Sequence, residues 1–222
     1  MLPLRGIGLL VLSALCGVLL AGCGGAGHSS GGASTPAGTL PAPAFSKTVD
    51  LRPVGGKVVV KPPGSASFVP LTGPRQVPVG TLIDVRAGIV RLTAAYPAPG
   101  RFAVGDFRAG VFEVRQDRAG QGLTDLKVQN TGSQTGCAGA AHGSIRRLTA
   151  RQLGLLLADA RGSFRTVGQF SAATVRGTAW GVRNRCDGTL TIVRRGVMLV
   201  TDFHRHRNVI LRAGQSYLAR AG

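Results

Sequence analysis

Short runs in which apolar and polar residues alternate recur along residues 47–222, and glycine-containing turns separate them. In GVFEVRQ (110–116), Phe112 and Val114 lie on one side of an extended chain, and the charged residues lie on the other. This period of two is typical of strands that bury one face. A chain patterned in this way can bury its apolar side chains only by pairing its strands into sheets.

Other segments have the same β-forming character. These are KVVVK (57–61), TLIDVR (81–86), GIVRLTAAY (88–96), LTDLKVQ (123–129), RCDGTLTIVRRGVMLVTDF (185–203) and NVILRAGQSYLAR (208–220). Ala87-Gly88 predicts a break between the second and third segments. Asp187-Gly188 predicts a hairpin, because a two-residue turn needs a positive φ at both positions. Arg195-Gly196 predicts a second tight turn, and Ala213-Gly214 predicts a final strand pair.

One segment after the signal region is a helix candidate. LTARQLGLLLADA (148–160) predicts a short helix capped by Thr149, although Gly154 inside it costs about 1 kcal/mol relative to alanine. A strand at Leu155–Leu157 is the alternative. The fold class predicted for residues 47–222 is therefore all-β, and an antiparallel β-sandwich, a barrel-like domain and a short β-solenoid all remain open.

The N-terminus has the organisation of a signal peptide. Arg5 precedes GIGLLVLSALCGVLL, an apolar run with the length of a signal-peptide core and too short to span a bilayer comfortably. The tetrad Leu20-Ala21-Gly22-Cys23 resembles the lipobox of bacterial lipoproteins. That resemblance implies that residues 1–22 form a helical signal peptide that is removed, and that the Cys23 thiol carries the lipid, with acyl chains such as palmitate.

A linker follows the lipidation site. Residues 24–46 contain no Lys, Arg, Asp or Glu and are dominated by Gly, Ser, Thr, Ala and Pro, so they cannot bury enough apolar surface to fold. We predict that residues 23–46 form a flexible tether with a reach of roughly 25–30 Å. The β domain is then expected on the extracytoplasmic face of the bacterial cell membrane.

The cysteines divide by position. Cys16 leaves with the signal peptide and Cys23 carries lipid, so Cys137 and Cys186 remain as an even pair in an oxidising compartment. We predict a disulfide between them. Closing a loop of this length stabilises a fold by about 3–4 kcal/mol in the chain-entropy model.

Positive charge is concentrated in the C-terminal part. The whole chain has a formal net charge of +18, and residues 143–222 contain fourteen Arg and three Asp. Arginine pairs with phosphate and carboxylate through two parallel hydrogen bonds. We predict that Arg194, Arg195, Arg205 and Arg207 form an exposed face that binds anionic envelope polymers or headgroups; the alternative is that each Arg is singly solvated. Nucleic acid is not an expected partner in this compartment.

No pattern indicates catalysis. The chain has one Glu and eight Asp, most of them at predicted turns or strand edges, such as Asp106 and Asp187. His204 and His206 would point the same way on a strand, but zinc needs three or four ligands and arginines flank the pair. Trp180 is expected in the core. The sequence therefore predicts no enzymatic activity, no cofactor and no metal.

Four segments together resemble the FecR-type extracytoplasmic β domain. They are residues 56–94, VRGTAWGV (175–182), GTLTIVRRGVMLV (188–200) and VILRAGQSY (209–217). The resemblance implies a β fold and an envelope location. FecR proteins also carry a cytoplasmic anti-sigma segment and a membrane helix, and a lipobox stands in their place here. We therefore expect a lipoprotein that binds or scaffolds at the cell surface; the alternative is a sensor component that passes a signal to a separate membrane regulator.

Overall fold

A computed structural model describes residues 40–135, 137 and 151–222. These residues form strands and one short 3₁₀ turn, which confirms the predicted all-β class. The strands are β1 (Thr48–Lys61), β2 (Val69–Pro70), β3 (Arg75–Pro78), β4 (Leu82–Ala95), β5 (Phe102–Arg108), β6 (Val111–Gln116), β7 (Thr124–Val128), β8 (Gln152–Val167), β9 (Ser171–Arg185), β10 (Gly188–Arg195), β11 (Val197–Asp202), β12 (Arg207–Arg212) and β13 (Ser216–Arg220).

Five strands close into a small barrel. The first half of β4 pairs with β6 and its second half pairs with β5. The first half of β8 likewise pairs with β5, and its second half pairs in parallel with β7, which in turn pairs with β6. Because β4 and β8 each bend and serve two neighbours, the circuit β4-β5-β8-β7-β6 has no open edge.

The barrel is filled by aromatic side chains. Phe107 lies with its ring centroid 5.6 Å from that of Phe112 and 5.4 Å from that of Phe164, and all three rings are fully buried. Trp180 is also buried, as predicted, and its indole Nε1 donates a hydrogen bond to Thr166 Oγ1 at 2.9 Å. The core therefore runs continuously from the barrel into the sheet beyond β8.

At three glycines where the sequence predicts that the chain turns back, the segments on either side run in the same direction. The runs 81–86 and 88–96 form one strand, β4, so the break predicted at Ala87-Gly88 is wrong. β10 and β11 both pair with β9, so the chain continues in one direction through Gly196 instead of turning back. The strands on either side of Gly214 similarly pair with β10 and β11, and not with each other.

The hairpin predicted at Asp187-Gly188 is present but shifted by one residue. Gly188 pairs with Arg185, which leaves Cys186 and Asp187 as the loop. Of the two predicted turn residues, only Gly188 has a positive φ, at 148°. The reversal between β11 and β12 lies instead at residues 203–206.

The predicted helix is wrong, and the alternative strand is correct. Residues 152–167 form β8, and residues 148–150 lie outside the described residues. Leu156, Ala158 and Ala160 are buried while Asp159 between them is exposed, which is a strand pattern. β8 pairs along its whole length with β9, and this tertiary pairing outweighs the weak helix propensity of the segment.

The Cys137–Cys186 disulfide is confirmed. The two Cα atoms are 5.2 Å apart, and 49 positions separate the cysteines in sequence. The bond joins the segment after β7 to the β9–β10 loop. The backbone N–H of Cys186 also donates to the Arg151 carbonyl at 3.3 Å, so the start of β8 is held at the same point.

Residues 40–46, the end of the predicted linker, contact the β domain. Gln76 Nε2 donates to the Pro41 carbonyl at 3.0 Å, and Ser46 N–H donates to Gln116 Oε1 at 2.8 Å. Pro43 is buried. The predicted signal peptide, Cys23 and residues 24–39 lie outside the described residues. None of the described segments forms a helix with the length and apolarity needed to cross a membrane.

Candidate functional site

A row of charged side chains crosses the outside of the barrel. The register places Arg91 on β4 opposite Asp106 on β5, and Asp106 opposite Asp159 on β8. Asp159 and Arg195 both lie opposite Ala179 of β9, one on each side of that strand. Four charged residues from four strands are therefore aligned across the sheet.

Each carboxylate in the row is held by an arginine. Arg91 Nε and Nη2 donate to Asp106 Oδ1 and Oδ2 at 2.8 Å each, in a bidentate pair. Arg195 Nη2 donates to Asp159 Oδ1 at 2.6 Å. Hydrogen bonding and the negative charge of Asp106 raise the pKa of the Arg91 guanidinium above its usual value. The two aspartates would repel each other across β5 and β8, and the flanking arginines offset that repulsion.

This row forms one side of an open groove of about 690 Å³. Phe102 and Val104, on the same face of β5 as Asp106, provide an apolar floor, and the Phe102 side chain is exposed. Arg161 lies opposite Val104 on β8 and is also exposed. Among the residues that the structure describes, Arg161 has no ion-pair partner, so it is the unneutralised cation of the groove.

The groove offers a polar ligand hydrogen-bond donors, hydrogen-bond acceptors and an apolar ring. Arginine N–H groups donate, the exposed oxygens of Asp159 accept, and Phe102 offers a flat apolar ring. A hydroxyl group needs both a donor and an acceptor, and the paired Arg and Asp side chains supply them side by side. An anionic group on the same ligand would be attracted to Arg161.

The charged side chains of the described residues are predominantly positive. The structure describes all nine acidic residues, and six of them form ion pairs with arginine. It also describes the side chains of 23 of the 27 Lys and Arg residues, because those of Arg5, Arg146, Arg147 and Arg176 lie outside it. Most of the described cations therefore have no carboxylate to neutralise them, and the surface attracts anions.

The four arginines predicted to form one face lie in two places. Arg195 belongs to the groove and Arg194 is exposed beside it, where a bulge interrupts the β9–β10 register. Arg205 and Arg207 are exposed at the β11–β12 hairpin, at the other end of β11. The six residues of β11 separate the two pairs by roughly 20 Å, so a compact ligand cannot contact all four.

A hydrogen-bonded network stabilises the β11–β12 hairpin. Asp202 is buried; its Oδ1 accepts from the Arg205 backbone N–H at 2.9 Å, and its Oδ2 accepts from the Tyr217 hydroxyl at 2.7 Å. The Arg207 guanidinium lies 5.4 Å from the centre of the Tyr217 ring. Burial alone would raise the pKa of Asp202, but these hydrogen bonds and the nearby Arg205 charge lower it below its usual value.

We expect Asp202→Asn to lower the free energy of unfolding by about 2 kcal/mol at pH 7, because a charged hydrogen-bond acceptor is lost. A lowered native pKa adds stability above the unfolded value of about 3.9, and that stability disappears as the pH falls through the native pKa. The difference between variant and wild type should therefore shrink from pH 7 to pH 3 in urea unfolding. Asp117→Asn is the matched control, because Asp117 is exposed and Asn caps equally well. An Asp202→Asn effect that is constant across this pH range would contradict the prediction.

The predicted strand position of the two histidines is wrong. His204 and His206 lie in the turn at residues 203–206, and His206 has a positive φ of 49°. Because His204 and His206 lie on a turn, their side chains do not share one face of a strand. The pattern that suggested them as a pair of metal ligands is therefore absent. Across residues 40–135, 137 and 151–222, no group of three His, Cys, Asp or Glu side chains could hold a metal ion.

Sequence reasoning missed the groove. Asp106 was expected at a turn or strand edge, but it lies in the middle of β5. Asp187 does lie in a loop, as predicted. The alternation of Phe102, Val104 and Asp106 could have indicated one exposed face of a strand. The alignment of Asp106 with Asp159, which lies 53 positions later in the chain, could not be predicted from the sequence pattern.

Comparison of the chain with protein-family models, with curated proteins and with solved structures finds no match.

Proposed function

We propose that the chain is a non-enzymatic lipoprotein of the bacterial cell envelope, anchored at Cys23, whose barrel groove binds an acidic polysaccharide. The observation that carries the binding role is the groove itself. It combines paired donors and acceptors, an exposed aromatic ring at Phe102 and the unneutralised cation Arg161. Sugars present hydroxyl groups at their edges and C–H groups on their faces, and these match the charged row and the phenyl ring respectively.

An acidic polysaccharide suits the groove better than a polymer of closely spaced phosphates. Asp106 and Asp159 already occupy donors of Arg91 and Arg195, which leaves few donors for a dense row of phosphates, whereas both carboxylates can still accept hydrogen bonds from hydroxyls. A uronate sugar carries one carboxylate per residue, which can pair with Arg161 in a bidentate manner. Both aspartates are already neutralised by arginine, so the proposal assigns them to recognition and not to proton transfer.

Calorimetric titration with an oligogalacturonate, and with its carboxyl-reduced neutral counterpart, tests the groove. We expect the acidic oligosaccharide to bind more tightly, because only it offers a carboxylate to Arg161. Arg161→Gln should weaken its binding at least tenfold, since a charge-assisted hydrogen bond contributes about 1.5–3 kcal/mol. Phe102→Ala should weaken binding of both oligosaccharides by roughly fivefold, through loss of about 1 kcal/mol of ring contact.

Lys57→Gln is the matched control for charge, because Lys57 is exposed on β1 and does not line the groove. It should leave both affinities within twofold of wild type. Equal affinity for the acidic and neutral oligosaccharides, or tighter binding of linear polyphosphate, would overturn the assignment of the ligand.

The anchoring part of the proposal predicts the behaviour of Cys23→Ala. The variant should stay unprocessed or leave the membrane fraction, because no thiol remains to receive the lipid and stable anchoring needs two or more acyl chains. Fractionation and mass spectrometry of the mature N-terminus measure this. Cys16→Ala is the control and should leave anchoring unchanged. A Cys23→Ala protein of mature size that still fractionates with membranes would contradict the lipobox assignment.

The resemblance to FecR-type domains remains part of the proposal, and the all-β fold supports it. The alternative role as a sensor component also remains a prediction. Co-purification of envelope proteins tests it, because recovery of a membrane-spanning regulator would favour signalling over simple binding.

A further inference from the structure

Strands β11 and β12 are apolar on both faces. Met198, Val200 and Leu211 are buried on the inner face. On the outer face, Leu199 lies directly opposite Ile210, and Val197 lies directly opposite Arg212. Val197, Leu199 and Ile210 are 50%, 39% and 63% exposed. An outward face of an antiparallel sheet normally carries polar residues, so these three side chains depart from the pattern.

The outer face continues to the end of the hairpin. Thr201 and Asn208 follow on the same face, and Thr201 Oγ1 donates to Asn208 Oδ1. Beyond them lies Phe203, which is 42% exposed although it is a large aromatic residue. We call the β11–β12 strip the set Val197, Leu199, Phe203, Arg205, Ile210 and Arg212. Arg207 does not belong to it, because Arg207 lies opposite the buried Asp202 on the inner face and contacts Tyr217. The strip extends for roughly 20 Å along the strands.

The β11–β12 strip is positively charged throughout. Residues 203–222 contain four Arg and no Asp or Glu. Asp202, at the end of β11, is buried and already accepts hydrogen bonds from the hairpin. Asp125 lines a pocket with Phe203, and it is neutralised by Arg165. β12 is the last strand of the sheet and pairs only with β11, so within the described part of the chain no strand lies beyond it.

We propose that the β11–β12 strip docks onto a bilayer surface that contains anionic phospholipids. Apolar side chains flanked by arginines match the boundary between acyl chains and headgroups, where apolar groups enter and guanidinium groups bind phosphate. Self-association fits less well, because a two-fold contact would bring Arg205 and Arg212 of both copies together. The docking surface lies outside the groove, so the proposal does not depend on polysaccharide binding.

Vesicle sedimentation tests this docking with a chain that begins at residue 23 and carries Cys23→Ser. This chain has no lipid of its own and retains every residue that the structure describes. The vesicles are pure phosphatidylcholine, or phosphatidylcholine with 30% phosphatidylglycerol, at about 50 mM salt. We expect binding to the anionic vesicles alone, with an affinity that falls steeply as salt rises.

Two sets of substitutions separate the apolar and charged contributions. Leu199→Ser with Ile210→Ser should weaken vesicle binding at least tenfold, because two apolar side chains no longer enter the interface. Arg205→Gln with Arg212→Gln should weaken it roughly 25-fold, since each arginine near an anionic surface raises the affinity roughly fivefold. Unchanged thermal unfolding midpoints confirm that the variants fold.

Matched controls lie on the opposite end of the sheet. Val54→Ser with Phe68→Ser removes two exposed apolar side chains, and Lys57→Gln with Arg75→Gln removes two exposed cations. Both sets should retain wild-type vesicle binding, and so should Arg161→Gln in the groove. Failure of the groove proposal and failure of the docking proposal are therefore distinguishable.

Three outcomes would overturn the docking proposal. One is absence of binding to anionic vesicles at low salt. Another is an equal loss of binding in the control sets, which would indicate general charge attraction. The third is a dimer in analytical ultracentrifugation that Ile210→Ser dissociates without any change in vesicle binding, which would assign the strip to an interface between copies.

Discussion

Phe107→Ala should lower the free energy of unfolding by about 3–5 kcal/mol. Phe107 is fully buried at the centre of the barrel, where its ring contacts those of Phe112 and Phe164 from two other strands. Removing the ring leaves a cavity that the closed circuit of strands cannot collapse into, because each strand is hydrogen-bonded on both edges. Urea unfolding followed by tryptophan fluorescence measures the loss, since Trp180 lies in the same core.

Phe68→Ala is the matched control, because Phe68 is exposed and lies outside the barrel core. Its effect should stay below about 1 kcal/mol. If Phe107→Ala does not fold, Phe107→Leu should still fold with a loss of about 1–1.5 kcal/mol, since it preserves most of the volume. Equal losses for Phe107→Ala and Phe68→Ala would show that the barrel centre is not the main source of stability.

Removing the Cys137–Cys186 disulfide should lower the stability by an amount similar to that for Phe107→Ala. We expect Cys137→Ser with Cys186→Ser to lower the free energy of unfolding by about 4 kcal/mol, because the bond closes a loop of about 50 residues in the unfolded chain. The closed loop runs from Cys137 to Cys186 and contains all of β8 and β9. Denaturant unfolding with and without a reductant measures the effect.

Reduction of the wild type should reproduce the loss, and the double variant should not respond to reductant. Cys137 and Cys186 should also be recovered from the oxidised protein as one cross-linked peptide pair. Two free thiols after oxidising purification, or a wild type that is insensitive to reductant, would contradict this prediction.

Local pattern predicted the class of the fold and several of its elements. β6 and β7 follow directly from alternation, because their apolar residues point into the barrel while charged residues point outward. The disulfide followed from the number of cysteines and the predicted compartment alone. The burial of Trp180 also followed from the residue type. The two strands and the burial of Trp180 depend on residue type and on neighbouring residues. The disulfide depends on a pair of cysteines for which no other partner is expected.

Glycine was the main source of error. Gly88 and Gly196 each predicted a turn, and each lies instead within a longer run of extended chain. Gly214 does lie in a turn, where the Gln215 N–H donates to the Arg212 carbonyl, but the strands on either side of it do not pair with each other. At Gly196 a Cβ atom would lie 2.9 Å from the Gly177 carbonyl, so close backbone packing and a φ of 84° require glycine there. The same residue suits a turn and a bulge, and only the position of the neighbouring strand distinguishes them.

The alternating segments by themselves determined that this protein is built from strands, because a period of two can be buried only in a sheet. The tertiary structure alone decided that β4 and β8 bend and close a barrel, that residues 152–167 form a strand and that Asp106 aligns with Asp159. Those outcomes depend on register between segments distant in sequence. Register is set by the hydrogen bonds and packing of both partners together, and neither partner specifies it alone.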